Sequence, residues 1–299
     1  MRVAVVTMAA LTVSGCMGQA AALPGQDALP DLPSATASVP VPSSTVAPTA
    51  TAPATTTPSS SPTPAATPGS AAPTRARASA ASARTCPAPR TLAQLPGAGR
   101  RIALTFDDGP SPISTRPILE ILDREGVKAT FFQIGENAKE YPQITREVAR
   151  RGHVVANHSW SHRDFSTSSP AHLRQEVDAT TTLLQSLTGE RICFVRAPYG
   201  NRSTGSDAFL EGRGLTQIMW QGDTRDWSGP GTSAIVRDAL AAPPRRGASV
   251  ILLLHDAKQF TPKGQEAGRQ TVAALPTVIR EYKKLGYTFV QVDGTLFPD

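Results

Sequence analysis

Aromatic residues are missing from the first 105 positions of this 299-residue chain; the first is Phe106, and all 16 lie from there onward. Charged residues are also missing from residues 32–74, which are almost entirely Ala, Pro, Ser, Thr, Val and Gly. Such a segment buries too little apolar surface to offset the conformational entropy lost on ordering. We therefore predict a disordered Pro/Ser/Thr/Ala-rich stalk over residues 16–84 and one folded domain over residues 85–299.

The chain also lacks a run of Lys or Arg and a ladder of aromatic residues, so we expect no nucleic-acid partner. The net charge is +6 at pH 7, and residues 1–84 contribute +2 of it through four Arg and two Asp. The remaining +4 is typical of an ordinary soluble surface. The alternative interpretation is attraction to an anionic matrix such as a bacterial cell wall.

The apolar run at residues 3–13 is too short to span a bilayer, and after Arg2 it suits the core of a signal peptide. Small residues then precede Cys16, a pattern that resembles the bacterial lipobox. That resemblance implies a signal peptide over residues 1–15 and a lipid anchor on Cys16, at the outer face of the cell membrane. The alternative is a secreted protein whose signal is cut near residues 20–22.

Only three cysteines occur, and Cys86 and Cys193 remain once Cys16 is set aside. An even pair in an exported protein indicates a disulfide, which here would close a loop of about 100 residues. The alternative is that Cys193 is a free thiol buried in an apolar strand.

From residue 101, short apolar runs alternate with longer amphipathic ones, which predicts a parallel sheet with helices outside it. Seven strands in about 200 residues favour a distorted (β/α)7 barrel in the α/β class, and a doubly wound open sheet is the alternative. The predicted strands are residues 102–106, 129–134, 153–157, 193–196, 216–220, 250–254 and 288–292. The predicted helices are residues 117–124, 141–151, 171–187, 232–241 and 268–285, and the Gly-rich segment 205–214 is a doubtful helix.

Five polar segments follow or end these apolar runs, at the strand ends where reactive residues of β/α folds lie. Because the carboxyl ends of parallel strands lie along the same edge of the sheet, we expect the five segments to lie close together. They read Thr-Phe-Asp-Asp-Gly-Pro at 105–110, His-Ser-Trp-Ser-His at 158–162, Arg-Ala-Pro-Tyr-Gly at 196–200, Asp-Thr-Arg-Asp-Trp at 223–227 and Leu-Leu-His-Asp at 253–256.

Two histidines and an acid have the composition of a metal centre. On a helical turn, the spacing of His158 and His162 would put both rings on one face. With Asp108 they supply two nitrogens and one oxygen and leave positions open for water and substrate, as in catalytic zinc sites. The alternatives are solvated turn histidines and, for Asp107 and Asp108, a helix N-cap pair.

His255 ends the most apolar stretch of the domain and is either a satisfied core histidine or a catalytic one. Asp226 is a candidate partner that orients the ring and keeps it protonated. Arg196 is suited to hold a base carboxylate in its ionised form. We interpret His153 and His172 as structural or surface residues.

This ordered set of segments resembles the polysaccharide deacetylase family, carbohydrate esterase family 4, over about residues 99–293. The resemblance implies a distorted seven-stranded β/α barrel and removal of acetyl groups from acetylated sugars. It also implies one divalent metal ion, Zn²⁺ in the first place, with Co²⁺ or Mn²⁺ as alternatives. Ala197 departs from the family pattern, which often has proline there.

Residue by residue, the resemblance implies that Asp107 is the general base and that Arg196 positions it. His255 would be the general acid, tuned by Asp226. The metal ligands would be Asp108, His158 and His162. The substrate would meet the backbone N–H of Tyr199 as an oxyanion donor, and Trp227 and Leu253 as walls of the groove and the acetate pocket.

We therefore expect a monomeric, lipid-tethered deacetylase of cell-wall glycan, acting on N-acetylglucosamine or N-acetylmuramic acid of peptidoglycan. One alternative is a deacetylase of chitin oligomers or acetylxylan. The other is a non-catalytic wall-glycan-binding lipoprotein that keeps the fold, which is disfavoured because every catalytic position is filled.

Overall fold

A computed structural model describes residues 85–243, 247–257 and 262–298, apart from the side chains of 262–265. The predicted signal peptide (1–15), lipidation site Cys16 and stalk (16–84) lie outside the described residues. The strands found within these ranges pair in one parallel sheet. They are β1 (Thr91–Leu92), β2 (Arg101–Asp107), β3 (Thr130–Gln133), β4 (Val154–Asn157), β5 (Phe194–Val195), β6 (Thr216–Ile218), β7 (Gly222–Asp223), β8 (Val250–His255) and β9 (Thr288–Phe289).

Helices connect most successive strands, as the alternating pattern of the sequence predicts, except between β1 and β2 and between β6 and β7. None of the described helices combines the length and apolar character that crossing a membrane requires. They are α1 (Thr115–Arg124), α2 (Gly135–Glu140), α3 (Pro142–Arg150), α4 (Pro170–Leu173), α5 (Ala179–Thr188), α6 (Thr204–Glu211), α7 (Thr232–Ala241) and α8 (Pro262–Lys284), with a π-helical turn (Arg174–Asp178) between α4 and α5.

The strand order is β1-β6-β5-β4-β3-β2-β8-β7, and β9 pairs with the start of β2. Strands β1 and β7 stand at the two ends of this order and do not pair with each other among the described residues, so the curled sheet forms a barrel that does not close. The predicted distorted β/α barrel is thus confirmed, and each of the seven predicted strands is present. Strands β1 and β7 escaped prediction because each has only two residues and lies outside the predicted apolar runs, whereas the equally short β5 and β9 lie within the runs 193–196 and 288–292.

The central strand β2 separates two apolar layers by the ordinary alternation of side chains along a strand. Ile102, Leu104 and Phe106 pack with residues of the surrounding helices. Ala103 belongs to a second cluster, which is formed almost entirely by residues of the strands and their ends. Asp107 has the same parity as Ala103, so it faces the inside of the barrel at the strand's carboxyl end.

The Gly-rich segment 205–214, a doubtful helix by its sequence, is helical over most of its length, in α6 (Thr204–Glu211). Ser203 precedes it and accepts a hydrogen bond from the Ser206 backbone N–H, while the Ser206 hydroxyl accepts from the Ser203 N–H. This reciprocal capping box satisfies N–H groups that a helix start leaves open. It outweighs the glycine content that made the segment doubtful.

A disulfide joins Cys86 to Cys193, across 107 positions of sequence. Cys193 is buried directly before β5, and Cys86 packs against the same inner apolar cluster. The bridge therefore ties the first described residues to the middle of the sheet. The alternative of a free thiol at Cys193 does not apply to this structure.

We expect the variant Cys86→Ser/Cys193→Ser to lose roughly 4–5 kcal/mol of unfolding free energy, because the bridge closes a loop of about 100 residues. Urea titration of the oxidised protein and the variant measures the difference. Wild-type protein treated with a reductant should unfold at the midpoint of the variant. Equal midpoints for oxidised protein and variant would contradict a stabilising bridge.

Candidate active site

Two neighbouring strands bring the first pair of polar side chains together. Asp107 at the end of β2 and His255 at the end of β8 are register partners in the parallel sheet. The backbone N–H of Asp256 continues the pairing by donating to the carbonyl of Asp107 at 3.1 Å. The first and fifth sequence segments therefore meet at the carboxyl ends of the strands, as predicted.

Arg196 is completely buried and holds Asp107 from the side of the barrel interior. Its Nη1 donates to Asp107 Oδ1 at 2.7 Å and to Thr105 Oγ1 at 3.0 Å. Its guanidinium carbon lies 4.2 Å from the ring centre of Phe132, within cation–π distance. One oxygen of Asp107 is thus fixed, and Oδ2 lies on the side of the histidines, 3.7 Å from His158 Nε2.

Asp108 meets both histidines of the second segment. Its Oδ1 lies 3.3 Å from His158 Nε2 and 3.3 Å from His162 Nε2. This oxygen is buried and has no conventional hydrogen bond. A buried carboxylate oxygen flanked by two imidazole nitrogens, with all ligand atoms within 4.8 Å of one another, is a donor set that fits a divalent metal ion.

The protonation of these groups reflects a negatively charged centre. Burial opposes the ionisation of Asp108, but the adjacent His158 ring and the charges of His255 and His162 outweigh it and lower the pKa of Asp108 to about 2. Burial also disfavours a charged His158, yet the charge of Asp107 and its contact with Asp108 raise its pKa. Burial and the neighbouring His158 lower the pKa of His162 to about 4, which leaves that ring neutral at pH 7.

Residues 158–162 form what we call the histidine loop, and it is not the helical turn that we predicted. Ser159 and His162 have left-handed φ angles of 68° and 60°. The Asn157 side chain accepts from the Ser159 N–H at 2.7 Å, and the Ser159 hydroxyl accepts from the His162 N–H at 2.8 Å. Local polar contacts, rather than helical periodicity, therefore bring both rings to one carboxylate.

The contact that His158 Nδ1 makes determines which form of the ring faces Asp108 through Nε2. His158 Nδ1 lies 2.9 Å from the backbone carbonyl of Arg196. Because a carbonyl only accepts, Nδ1 carries a proton, and this leaves Nε2, which faces Asp108, as the nitrogen whose lone pair would bind a metal ion when the ring is neutral. The residue that orients the base thus also orients a candidate ligand.

Asp226 holds His255 at two points. Its Oδ1 lies 2.8 Å from His255 Nδ1, and its Oδ2 accepts the His255 backbone N–H at 2.8 Å. Burial would lower the pKa of His255, but the charge and hydrogen bond of Asp226, with the charges of Asp108 and Asp107, raise it to about 10. The ring is therefore protonated at neutral pH, as a proton donor must be.

The predicted substrate-contacting residues differ in exposure. Tyr199 is 63% exposed and Trp227 is 42% exposed, unusual values for large aromatic side chains. The Tyr199 ring lies 4.5 Å from that of His162, so it borders the candidate metal centre. Leu253 is buried in β8, beside Thr105 of β2. The oxyanion, groove and acetate-pocket roles of these residues stay predictions.

Asp256 is a site residue that the sequence analysis did not assign. Its buried carboxylate accepts from the Gly109 N–H at 3.1 Å and from the Thr115 hydroxyl at 2.6 Å. A Cβ atom at Gly109 would lie 2.2 Å from Asp256 Oδ2, so this turn requires glycine. The signal available in the sequence was its position directly after His255.

The structure also decides the N-cap alternative for Asp107 and Asp108 and shows where His153 and His172 lie. Helix α1 begins at Thr115 after Ser114, so the Asp107–Asp108 pair does not cap it, and that alternative is wrong. His153 is buried, and its Nδ1 accepts from the Ala129 N–H at 3.2 Å. Burial lowers the pKa of His153 to about 3, consistent with a structural role. His172 is exposed, as expected of a surface residue.

Comparison with known proteins identifies this arrangement. The family model described as polysaccharide deacetylase matches residues 95–218. A chitooligosaccharide deacetylase of Sinorhizobium fredii is 37% identical over 202 residues, which are 66% of this chain and 93% of the relative. A peptidoglycan-N-acetylglucosamine deacetylase of Bacillus cereus is 34% identical over 189 residues, 63% of this chain and 66% of the relative.

A solved structure agrees with both. A peptidoglycan N-acetylglucosamine deacetylase in complex with a substituted N-oxidanyl-benzamide superposes with a TM-score of 0.62 at 31% identity, covering 70% of this chain and 94% of that one. Sequence identity, coverage and the curled parallel sheet lead to one conclusion: the chain belongs to the polysaccharide deacetylase family, the carbohydrate esterase family 4, and is an enzyme of that family.

Proposed function

We propose that this deacetylase is a metal-dependent hydrolase that removes acetyl groups from the N-acetylated amino sugars of peptidoglycan. The observation that carries the proposal is the unsatisfied, buried Oδ1 of Asp108 between two imidazole nitrogens, next to a restrained Asp107. A divalent ion held by Asp108, His158 and His162, for which zinc is our first choice, supplies a Lewis acid for the acetyl carbonyl and lowers the pKa of water.

Asp107 is the proposed general base. Arg196 occupies its Oδ1, and Oδ2 lies on the side of the candidate ligands. Proton transfer to a positioned carboxylate requires the acceptor within hydrogen-bond reach of the attacking water. The fixed orientation of Asp107 keeps Oδ2 available for this step. The buried guanidinium of Arg196 compensates the negative charge of the Asp107 carboxylate before it takes up the proton.

His255 is the proposed general acid. Asp226 keeps its ring oriented and protonated, so that it donates a proton to the amine nitrogen as the bond to the acetyl carbon breaks. Acetate and a free amino sugar are the products. Base and acid are neighbours across the β2–β8 pair, so both strands contribute to one reaction centre.

The substrate assignment depends on relatives and on the predicted export. Relatives named as peptidoglycan-N-acetylglucosamine deacetylases include that of Bacillus cereus, at 34% identity. The predicted lipid anchor and stalk support action within a wall, because a coil of 68 residues spans roughly 45 Å and its polyproline form approaches about 200 Å. A monomer suffices for this role.

Chitin oligomers are the second candidate substrate. The chitooligosaccharide deacetylase of Sinorhizobium fredii is similar over nearly its whole length, at 37% identity. Both candidates contain N-acetylglucosamine, and the chemistry proposed for Asp107 and His255 is the same for either. We expect the choice between them to depend on the residues that contact the rest of the glycan, for which the exposed rings of Tyr199 and Trp227 are candidates.

We expect the chain from residue 17 onward to release acetate from purified peptidoglycan, to stop in the presence of a chelator, and to recover with added Zn²⁺. The variant Asp107→Asn should retain zinc but lose about 10²- to 10⁴-fold in kcat, the usual worth of a general base. Acetate assays with peptidoglycan, chitin oligomers and acetylxylan, together with zinc content, measure both.

Each other outcome of this assay has a definite meaning. Wild-type turnover in Asp107→Asn contradicts the base assignment. Release from chitin oligomers or acetylxylan alone keeps the chemistry and replaces the substrate. Bound zinc without release from any of the three substrates supports a non-catalytic wall-binding protein.

The variant Asp226→Asn should move the alkaline limb of the kcat–pH profile to lower pH by at least about one unit. The raised pKa keeps His255 protonated as the pH rises, and removing the Asp226 charge lowers that pKa, so the acid is lost earlier. Asp238→Asn is the matched control, because Asp238 pairs with Arg225 and Arg237 instead. Profiles of Asp226→Asn and wild type that coincide would refute the assignment of the acid.

We also propose that the chain is anchored to the cell membrane through Cys16, which the lipobox-like pattern supports. A labelled fatty acid should be incorporated into the full-length protein and not into Cys16→Ala, and this variant should leave the membrane fraction. Unlabelled wild-type protein in the medium, with an amino terminus near residues 20–22, would support plain secretion instead.

A further inference from the structure

The Glu176 carboxylate is bound entirely into the histidine loop. Its Oε2 accepts the backbone N–H of Trp160 at 2.9 Å and that of Ser161 at 2.8 Å. Its Oε1 accepts the Ser161 hydroxyl at 2.7 Å. Glu176 is only 6% exposed, and its one cationic neighbour among the described residues is Arg163, with Nε 3.8 Å away. The buried Glu176 carboxylate thus accepts its hydrogen bonds from Trp160 and Ser161, which lie between His158 and His162 in the loop.

The loop depends on such partners because its backbone is strained. Left-handed φ angles at non-glycine residues persist only where the surroundings over-determine them, and the loop has two, at Ser159 and His162. Each of its five N–H groups has an acceptor, and Glu176 supplies two of the five. The other three acceptors are the carbonyl of Gln133 for His158, the Asn157 side chain for Ser159 and the Ser159 hydroxyl for His162.

The π-helical turn Arg174–Asp178 holds the loop a second time. The carbonyl of Val177 accepts from Asn157 Nδ2 at 2.9 Å, and the other end of that amide accepts the Ser159 N–H. Residues 176 and 177 of one turn therefore restrain the loop at Trp160–Ser161 and at Ser159. π-Helical turns are rare and are frequently found at functional sites. The position of this turn, behind the histidine loop, agrees with that tendency.

We propose that Glu176 is a positioning residue that holds His158 and His162 in the geometry of the metal centre and thereby sets its metal affinity. The inference rests on the proposed function, since it assumes that these histidines bind the ion. Glu176 lies one step behind the ligands and touches neither imidazole in the contacts described. Outer groups of this kind set ligand orientation, and their loss weakens metal binding.

Zinc affinity of the chain from residue 17 onward, measured by competition with a chromophoric chelator, tests the proposal. Glu176→Leu removes every acceptor and should weaken binding about 100-fold, and Glu176→Gln keeps one acceptor oxygen and should weaken it about 10-fold. Glu147→Gln is the matched control, because Glu147 is a partly buried carboxylate that pairs with Arg116 and Arg151 instead of loop amides. It should bind zinc as the wild type does.

A second readout needs neither metal nor activity. In the metal-free protein, amide hydrogen exchange of Trp160 and Ser161 should be at least tenfold faster in Glu176→Gln than in Glu147→Gln, because the exchange reports the bonds that Glu176 accepts. Thermal midpoints of all variants show whether a loss is local. If Glu176→Leu does not fold, Glu176→Gln with its control decides the matter.

Wild-type zinc affinity in Glu176→Gln and any folded Glu176→Leu, within twofold of Glu147→Gln, would overturn the positioning role and leave the proposed function intact. An equal weakening in Glu147→Gln would also overturn it, since the effect would then be general. Absence of zinc binding by wild type, or unchanged binding by Asp108→Asn, would instead remove the proposed metal centre and the inference with it.

Discussion

The adjacent carboxylates Asp107 and Asp108 impose the electrostatic requirement around which the site is built. Both are largely buried at the end of one strand, where like charges repel strongly unless positive groups or hydrogen bonds compensate them. Arg196 compensates the first from inside the barrel, and two histidines face the second. The two acids therefore have different partners and are suited to different tasks.

The fold meets this requirement through alternation and register. Asp107 faces the interior because it follows Ala103 and Thr105 on the inner side of β2, and its register partner on β8 is His255. Arg196 follows β5, which lies three strands away from β2 in the same curled sheet. Its buried side chain contacts Thr105 and Asp107 of β2.

The central strands and the chemical identity of the site could be predicted from sequence, since long apolar runs and rare residue types carry strong signals. Charge made Asp226 a candidate partner of His255 and suited Arg196 to hold a carboxylate, whereas the family resemblance implied that this carboxylate is Asp107. Conversely, the conformation of the histidine loop depends on Asn157 and Glu176, which look like ordinary polar residues of a strand end and a helix. No pattern in the neighbouring sequence indicates the contacts of Glu176 with Trp160 and Ser161, 16 and 15 positions away, or a two-residue strand outside a longer apolar run such as β1.

The disulfide has a mechanical consequence for a protein that is pulled by its amino-terminal side. Tension arriving through the residues before Cys86 passes across the sulfur–sulfur bond to Cys193, at the entry to β5. The covalent bridge thus bypasses residues 87–192, including the two-residue strand β1 and the strand that bears Asp107. A pull would load the start of β5 directly, three residues before Arg196, whose side chain holds Asp107.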